Sequence, residues 1–280
     1  MRVRYSFSSR RTGHTENILK QREKIPDMIK KIVRTSDIIL EVLDARFIDE
    51  TRNAEIEKLV KKQGKKLVYV LNKSDLLDKE KIKQIKRKLE LENLMPYVFV
   101  SSTMRRGRKD LRDRIKIEVK RLEEGHERKQ VGVIGYPNTG KSSLINYLTG
   151  RSSAPTSARA GFTKGMQKIK LAENLLLLDS PGIIPEKEYS HRELGKIAAH
   201  AIVGARGYSE VKDPEFIVNS IMKQYPGVLE KYYNVKACDF DDFIEKVGRN
   251  KNFLLKGGIV DADRTARFIL REWQEGKIKV

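Results

Sequence analysis

The residues best suited to chemistry lie in one short loop, residues 135–142, which read GYPNTGKS. This order matches a phosphate-binding loop, in which backbone N–H groups cradle phosphates, Lys141 reaches the β- and γ-phosphates and the Ser142 hydroxyl binds Mg²⁺. An apolar run at 130–134 and a helical run at 142–148 flank the loop. The alternative, a chance Gly-rich turn, would not need a strand before it and a helix after it. The sequence therefore predicts phosphates bound at the positive end of a helix.

A second group of candidates, DSPG at 179–182, follows the apolar run 175–178. An Asp at the end of a strand can hold Mg²⁺ through a water molecule, and a nearby glycine N–H can meet the γ-phosphate. These roles would fall to Asp179 and Gly182. The same four residues could also form an ordinary turn after a buried strand, so this motif supports the phosphate loop without establishing it alone.

A base-selecting motif, NKSD at 72–75, precedes the phosphate loop in the chain. Asp75 can accept hydrogen bonds from N1–H and the 2-amino group of guanine together, a charge-assisted pair that adenine does not offer. A further loop, SST at 101–103, can turn backbone N–H groups of Ser101 and Ser102 toward guanine O6. Each loop alone could be a helix cap. Together with the phosphate loop they predict a guanine nucleotide site.

In ordinary GTPases the phosphate loop comes first, whereas here it follows both base loops. This order resembles the circularly permuted GTPases of the YlqF/YawG type, a ribosome-assembly family. Weaker matches are GH at 13–14, DAR at 44–46 and GGIVD at 257–261. The chain departs from the family at residues 11–15, which read RTGHT in place of aromatic-Pro-Gly-His-Met, and at Ser102, which stands where the family usually has a small residue.

The resemblance implies a protein that binds GTP with Mg²⁺, hydrolyses it to GDP and phosphate, and assists assembly of the large ribosomal subunit. The switch threonine that completes the Mg²⁺ shell would be Thr163 in AGFTKG, with Thr156 as the competing candidate. The metal ligands would then be Ser142, Thr163 and, through water, Asp179. The implied nucleotide contacts are Asn72, Lys73, Asp75, Ser101, Ser102, Asn138, Thr139, Gly140, Lys141, Ser142, Ser143, Asp179 and Gly182.

Hydrolysis itself has the fewest signals in the sequence. The residue after Gly182, usually the Gln that orients the attacking water, is Ile183. We therefore expect slow intrinsic hydrolysis, with the missing group supplied by another segment or by a partner. His14 is the candidate because it matches the family's Gly-His pair, and an ordinary exposed histidine is the alternative. The catalytic candidates are Lys141, Thr163, Gly182 and His14.

Asn138 lies inside the phosphate loop and resembles the asparagine of GTPases that are activated by potassium. A monovalent cation held there would stabilise negative charge beside the phosphates. The alternative is that Asn138 only tolerates the turn geometry of the loop. The expected cofactors are therefore Mg²⁺ and, as a hypothesis, K⁺.

Alternating elements must position these loops. Strand-like and helical runs alternate from residue 25 to 189, which predicts an α/β fold: a doubly wound, mostly parallel sheet in permuted order. All ligand loops of such a sheet lie at the carboxyl ends of its strands, so moving the chain ends leaves the site intact. We predict a basic arm at 1–24, a permuted G domain at 25–189 and a small all-helical RNA- or ribosome-binding domain at 190–280. Helices are expected near 53–62, 79–91, 108–124, 193–203, 215–223, 240–247 and 261–275.

The net charge of +20 over 280 residues favours an anionic partner. Residues 1–34 carry 10 Lys and Arg against 3 Asp and Glu, and residues 79–129 carry 17 against 9. Arg105, Arg106 and Arg108 belong to the densest basic cluster. Binding to structured RNA by charge and shape fits this distribution, so the expected partners are GTP or GDP and rRNA or a precursor of the large subunit. The alternative is a nucleotide switch that acts on a protein effector, with the basic charge serving solubility.

A single cysteine, Cys238, excludes an intramolecular disulfide and suits a reducing compartment. No run has the length and apolarity of a membrane span or a signal peptide. We therefore expect a cytoplasmic protein with no membrane partner.

Overall fold

A computed structural model describes residues 27–122, 128–150, 167–172, 175–180 and 194–279. The strands are β1 (Ile38–Asp44), β2 (Lys66–Asn72), β3 (Tyr97–Phe99), β4 (Lys129–Gly135), β5 (Gln167–Ala172) and β6 (Leu175–Asp179). They form one sheet in the order β3-β2-β1-β4-β6-β5. The first five strands in this order run parallel, and β5 pairs antiparallel with β6. The predicted doubly wound, mostly parallel sheet is confirmed.

Helices cover both faces of this sheet: α1 (residues 27–35), α2 (Ile48–Thr51), α3 (Ala54–Lys62), α4 (Lys79–Leu91), α5 (Arg108–Lys120) and α6 (Lys141–Thr149). Successive residues of β1 point to opposite faces. Ile38, Leu40 and Val42 pack with apolar residues of α5 and α6. Ile39 and Leu43 lie in the clusters that contain residues of α1, α3 and α4. The sheet is thus the middle layer of three.

Side-chain caps begin five of the predicted helices, two of which pack on the sheet. Asn53 accepts from the N–H groups of Glu55 and Ile56 at the start of α3, and Asp78 accepts from the N–H of Lys81 at the start of α4. The helix expected at 108–124 is shorter than predicted and ends at Lys120. Helix α2 has only four residues, too few for a periodic apolar pattern, so the sequence gives no signal for it.

In the part of the chain that the structure describes, five helices follow the sheet: α7 (Leu194–Ile202), α8 (Pro214–Gln224), α9 (Val228–Tyr233), α10 (Phe240–Asn250) and α11 (Ala262–Gln274). Trp273 is fully buried among them, and its Nε1 donates to the carbonyl of Ile202 at 3.0 Å. Ile269 and Leu270, at helical spacing from Trp273, are also fully buried, so this face of α11 belongs to the core. Phe47 and Tyr136, from loops of the sheet, join the same apolar cluster. The helical region consequently packs directly on those loops.

Several predicted features lie outside the described residues: His14, Thr156, Thr163, Gly182, Ile183 and both predicted domain boundaries. Within the described ranges, none of the helices is long and apolar enough to span a membrane. Cys238 is an exposed free thiol.

Candidate nucleotide site

The predicted ligand loops leave the carboxyl ends of neighbouring parallel strands. In the strand register, Asp44 lies beside Asn72 and Val42 lies beside Gly135. Asp179 ends β6, the next strand along. Since this edge is where a doubly wound sheet binds its ligands, residues far apart in the chain share one site.

The phosphate loop follows a backbone path that requires glycine at two positions. Gly135 and Gly140 have φ angles of +153° and +92°, and Asn138 has +60°. A Cβ on Gly140 would lie 2.3 Å from Nδ2 of Asn72, and one on Gly135 would lie 2.4 Å from the carbonyl oxygen of Val42. The loop is therefore held close to β1 and to the base-selecting motif, and α6 begins directly after it.

Lys141 is buried, with 6% of its surface exposed. Its Nζ donates to two carbonyls of its own loop, Gly135 at 3.1 Å and Tyr136 at 2.8 Å. Burial lowers the pKa of Lys141 to about 8, although the nearby Asp179 carboxylate acts in the opposite direction. A buried cation held mainly by neutral carbonyls is well placed to gain a stronger anionic partner.

Asp179 and Ser142 are in contact next to the phosphate loop. The Ser142 hydroxyl lies 3.4 Å from Oδ2 of Asp179, which is fully buried. Burial raises the pKa of Asp179, while Lys141 and the Ser142 hydroxyl lower it. The other carboxylate oxygen, Oδ1, has no hydrogen-bond partner among the described residues, and neither does the buried hydroxyl of Ser180. Two unpaired oxygens beside a serine hydroxyl fit the oxygen-rich shell that Mg²⁺ prefers.

Asn72 joins three of the predicted loops. Its Nδ2 donates to the carbonyl of Thr139 in the phosphate loop at 2.8 Å. Its Oδ1 accepts from both the backbone N–H and the hydroxyl of Ser102, each at 3.2 Å. Thr139 is itself fixed by a 3.0 Å bond from its hydroxyl to the carbonyl of Tyr136. The structure thus brings the two base loops and the phosphate loop together through one buried side chain.

Lys73 is held by an ion pair that no sequence motif assigns to it. Its Nζ lies 2.9 Å from Oδ2 of Asp44, and the guanidinium of Arg46 donates to both oxygens of the same carboxylate, at 3.0 and 2.8 Å. Arg46 also donates to the carbonyl of Trp273 at 3.3 Å. Burial alone would raise the pKa of Asp44, but Lys73 and Arg46 hold it well below its usual range. The DAR triplet begins at the last residue of β1 and therefore lies at the same sheet edge, but the triplet alone does not identify Lys73 as the partner of Asp44.

The remaining base-side candidates are close to these residues. Asp75 is half-buried in a short 3-10 turn, within electrostatic range of Lys73. The N–H of Ser101 donates to the carbonyl of Arg106 at 3.1 Å, and the N–H of Ser102 is engaged by Asn72 as described above. The contact of this loop with guanine O6 stays a prediction. Ser143 is exposed in the first turn of α6.

The helical region touches the phosphate loop directly. Asn138 donates its Nδ2 to the carbonyl of Gly204, just after α7. The ring of Tyr136 lies edge-on to the buried ring of His200, with centroids 6.2 Å apart. Sequence reasoning missed this contact, since neither His200 nor Gly204 lies in a motif and the bonded pair is 66 residues apart.

The site therefore defines a P-loop nucleotide-binding protein with a guanine-type base loop, built in permuted order. Comparisons with known proteins agree. Residues 130–231 match the family model of the 50S ribosome-binding GTPases. A GTP-binding protein of Methanocaldococcus jannaschii is 40% identical over 263 residues, covering 91% of this chain and 67% of that relative. The GTPase grn1 of Schizosaccharomyces pombe is 32% identical, covering 89% of this chain and 60% of its own length.

Longer relatives share the same segment. Nucleolar GTP-binding protein 2 of Neurospora crassa is 31% identical over 92% of this chain, which spans 41% of that relative. The chain thus spans about half the length of these two fungal relatives. Among solved structures, GNP-bound YlqF from T. maritima has a TM-score of 0.65 at 24% identity, covering 91% of this chain and 94% of that one. This chain belongs to the circularly permuted GTPases of the YlqF type.

Proposed function

We propose that the chain binds GTP with Mg²⁺ at this edge of the sheet, hydrolyses it to GDP and phosphate, and uses the cycle in assembly of the large ribosomal subunit. The observation that carries the proposal is Asn72, which joins both base loops to the phosphate loop. A nucleotide lying across this junction meets a guanine-selective loop and a phosphate-binding loop together.

Asp75 reads the base in this proposal. Its carboxylate accepts from the N1–H and 2-amino groups of guanine, and the loop of Ser101 and Ser102 faces O6. Lys73, held by Asp44, lines the base side beside them. A wrong base would leave the carboxylate of Asp75 unpaired, and buried polar groups left unpaired discriminate by roughly 10⁴-fold.

Lys141 and the Mg²⁺ ligands act on the phosphates. Lys141 exchanges its two carbonyl partners for phosphate oxygens, whose negative charge raises the pKa that burial lowers. Ser142 would ligate Mg²⁺ directly, Asp179 would hold it through water, and Thr163 would complete the shell. When bound, Mg²⁺ neutralises charge on the β- and γ-oxygens. Among the described residues no cluster of three His, Cys, Asp or Glu side chains is arranged to hold a metal, which suits an ion that takes much of its shell from phosphates and water.

Hydrolysis is expected to be slow without a partner. The N–H of Gly182 contacts the γ-phosphate, but Ile183 cannot orient water as Gln does. His14 is the proposed substitute, acting in the presence of the partner. Asn138 is the proposed ligand of a potassium ion beside the phosphates. Its hydrogen bond to Gly204 fixes the side-chain amide at the loop. Its φ of +60° also suits the alternative, in which Asn138 only tolerates the turn geometry of the loop. Equal rates in sodium and potassium would remove the cation from the proposal.

A ribosomal particle is the proposed partner. The matching family model is described as ribosome-binding and one relative as nucleolar, and basic charge is concentrated at residues 1–34 and 79–129. The test is co-sedimentation with purified large ribosomal subunits at several salt concentrations, with GDP and with a non-hydrolysable GTP analogue. We expect binding that needs the GTP analogue and weakens steeply with salt. Nucleotide-dependent binding without salt dependence would favour a protein effector, and no binding under any condition would contradict the ribosomal role.

A further inference from the structure

Helix α5 carries a concentrated basic surface that the nucleotide site does not use. An open depression of about 680 Å³ lies along it, lined by five cationic side chains and the ring of Tyr147. We call it the α5 depression. The cations are Arg105, Arg108, Lys109, Arg112 and Lys116.

The local fold places these cations together. Ser101 and Arg106 form an antiparallel bridge, and Arg105 and Gly107 at its turn have φ angles of +53° and +78°. A Cβ on Gly107 would lie 2.3 Å from the carbonyl oxygen of Phe99, so only glycine fits there. The tight turn holds Arg105 at the start of α5. Further along, Arg108, Arg112 and Lys116 recur every four residues and therefore share one side of the helix.

The charge of the depression is hardly compensated. Among the described residues of its lining, Asp113 is the only carboxylate, and it lies 3.6 Å from Nζ of Lys116. Among the described residues no carboxylate pairs with Arg105, Arg108, Lys109 or Arg112. By contrast, Lys83 and Lys88 on α4 both have carboxylate partners. Uncompensated like charges lining one concave surface create a positive potential that favours a polyanion.

Two of the arginines are already positioned. Arg108 and Arg112 each donate an Nη2 to the carbonyl of Leu148, at 2.9 and 2.6 Å. Leu148 lies in the last turn of α6, where carbonyls lack helical partners. The guanidinium of Arg108 also lies 5.8 Å from the ring centroid of Tyr147, and its buried Nε has no hydrogen-bond partner among the described residues. Because the side chains are preorganised, binding an anion there immobilises fewer rotamers.

We propose that the α5 depression binds the phosphodiester backbone of structured RNA. This inference rests on the proposed ribosomal role and identifies the surface of the protein that contacts the RNA. Arg108 and Lys116 are eight residues apart, about 12 Å along the helix. That length is enough to face a few consecutive phosphates of one strand. A free nucleotide or a single phosphate would use only part of it, whereas a duplex RNA backbone would contact most of the cations at once.

The test uses the full chain and a fluorescent RNA duplex of about 20 base pairs. The variant R105E/K109E/K116E reverses three cations and leaves the bonds of Arg108 and Arg112 to Leu148 in place. The control K79E/K81E/R87E makes the same charge change at exposed positions on α4. We expect the α5 variant to bind the duplex at least 10-fold more weakly, with a smaller salt dependence, and the α4 control to stay within about 3-fold of the parent. The uncharged variant R105Q/K109Q/K116Q should show the same ranking, and thermal unfolding verifies that each variant folds.

Equal losses in both reversed variants would show that only net charge matters and would overturn the inference. So would unchanged binding by the α5 variant, or a parent that does not bind the duplex. Failure of the ribosomal role is distinguished by the separate particle assay. If the parent binds duplex RNA through the α5 depression but never binds large subunits, the inference about this surface stands and the proposed ribosomal function is wrong.

Discussion

The two halves of the nucleotide site differ in how far the protein satisfies its own polar groups. On the guanine side, Asp44 has two cationic partners and the amide of Asn72 has partners at both its nitrogen and its oxygen. On the phosphate side, Lys141 rests on neutral carbonyls, and an oxygen of Asp179 and the hydroxyl of Ser180 have no partner among the described residues. The polar groups of the guanine side therefore find their partners within the protein, whereas those of the phosphate side need the ligand as a partner.

This difference has an energetic consequence. Buried groups without partners destabilise a fold, whereas buried groups that are fully paired become costly only when one partner is removed. Mutations on the guanine side should therefore lower the stability of the protein even without nucleotide. Mutations on the phosphate side should abolish nucleotide binding and change the ligand-free stability little.

The largest effect is expected from Asp44→Asn. The change leaves the cations of Arg46 and Lys73 without their shared carboxylate, and Arg46 is almost fully buried. Breaking one partner of a buried ion pair costs roughly 3–5 kcal/mol of unfolding free energy, which urea denaturation would measure. Asp49→Asn is the control, since the exposed pair of Asp49 with Lys88 should contribute under about 1 kcal/mol. If both variants lose a similarly small unfolding free energy, the ion pairs of Asp44 do not stabilise the guanine side as proposed.

Glu41→Gln changes a buried carboxylate that lies outside the nucleotide site. Glu41 is buried in β1, its Oε1 accepts from the N–H of Asn53 at 2.9 Å, and its Oε2 has no partner among the described residues. Burial, followed by the nearby charge of Glu57, raises the pKa of Glu41 to about 8. The folded protein therefore keeps this proton between about pH 4.5 and 8 while the unfolded chain loses it, so Glu41 makes stability fall as pH rises through this window.

Glutamine removes that dependence. We expect the Glu41→Gln variant to match the parent near pH 4.5 and to be more stable by about 2–4 kcal/mol at pH 8. Urea denaturation across this pH range, with GTP affinity as the control measurement, checks it. GTP affinity should not change. If the difference in unfolding free energy between variant and parent is the same at every pH, Glu41 is ionised in the folded protein.

Asn72→Ala should affect stability and binding together. It removes the bonds to Thr139 and Ser102, which leaves buried groups unpaired at a cost of roughly 1–3 kcal/mol. Because the same bonds set the distance between the base and phosphate loops, GTP affinity should fall at least 10-fold. Denaturation and nucleotide titration measure the two effects. A loss of affinity with no loss of stability would mean that Asn72 contacts the nucleotide instead of joining the loops.

Lys141→Met is expected to have the smallest effect on ligand-free stability, within about 1 kcal/mol of the parent. Relief from burying a cation offsets the loss of the bonds to Gly135 and Tyr136. The rise in melting temperature that GTP with Mg²⁺ gives the parent should disappear, whereas exposed Lys62→Met should retain it. A variant that melts far below the parent without nucleotide would make Lys141 a structural residue.

The sequence predicted those parts of the molecule that leave a local pattern. The strands before Asn72 and Asp179, the glycines of the phosphate loop and the long helices α4 and α11 all carry periodicity, caps or required φ values. The missed features depend on contacts between distant segments. Asp44 with Lys73, and Asn138 with Gly204, became visible only when the sheet edge and the helical region were assembled. Short helices α2 and α9 are stabilised by packing, and their few residues give no periodic signal.

We infer that a guanine-selective loop placed ahead of the phosphate loop in the chain serves the same site. Calorimetric titration of the parent and of Asp75→Asn with GTP and with xanthosine triphosphate tests it most directly, because xanthine presents a carbonyl where guanine presents its 2-amino group. We expect the parent to prefer GTP, and the variant to lose GTP affinity and gain relative affinity for xanthosine triphosphate. An Asp75→Asn protein that binds GTP as tightly and as selectively as the parent would contradict it.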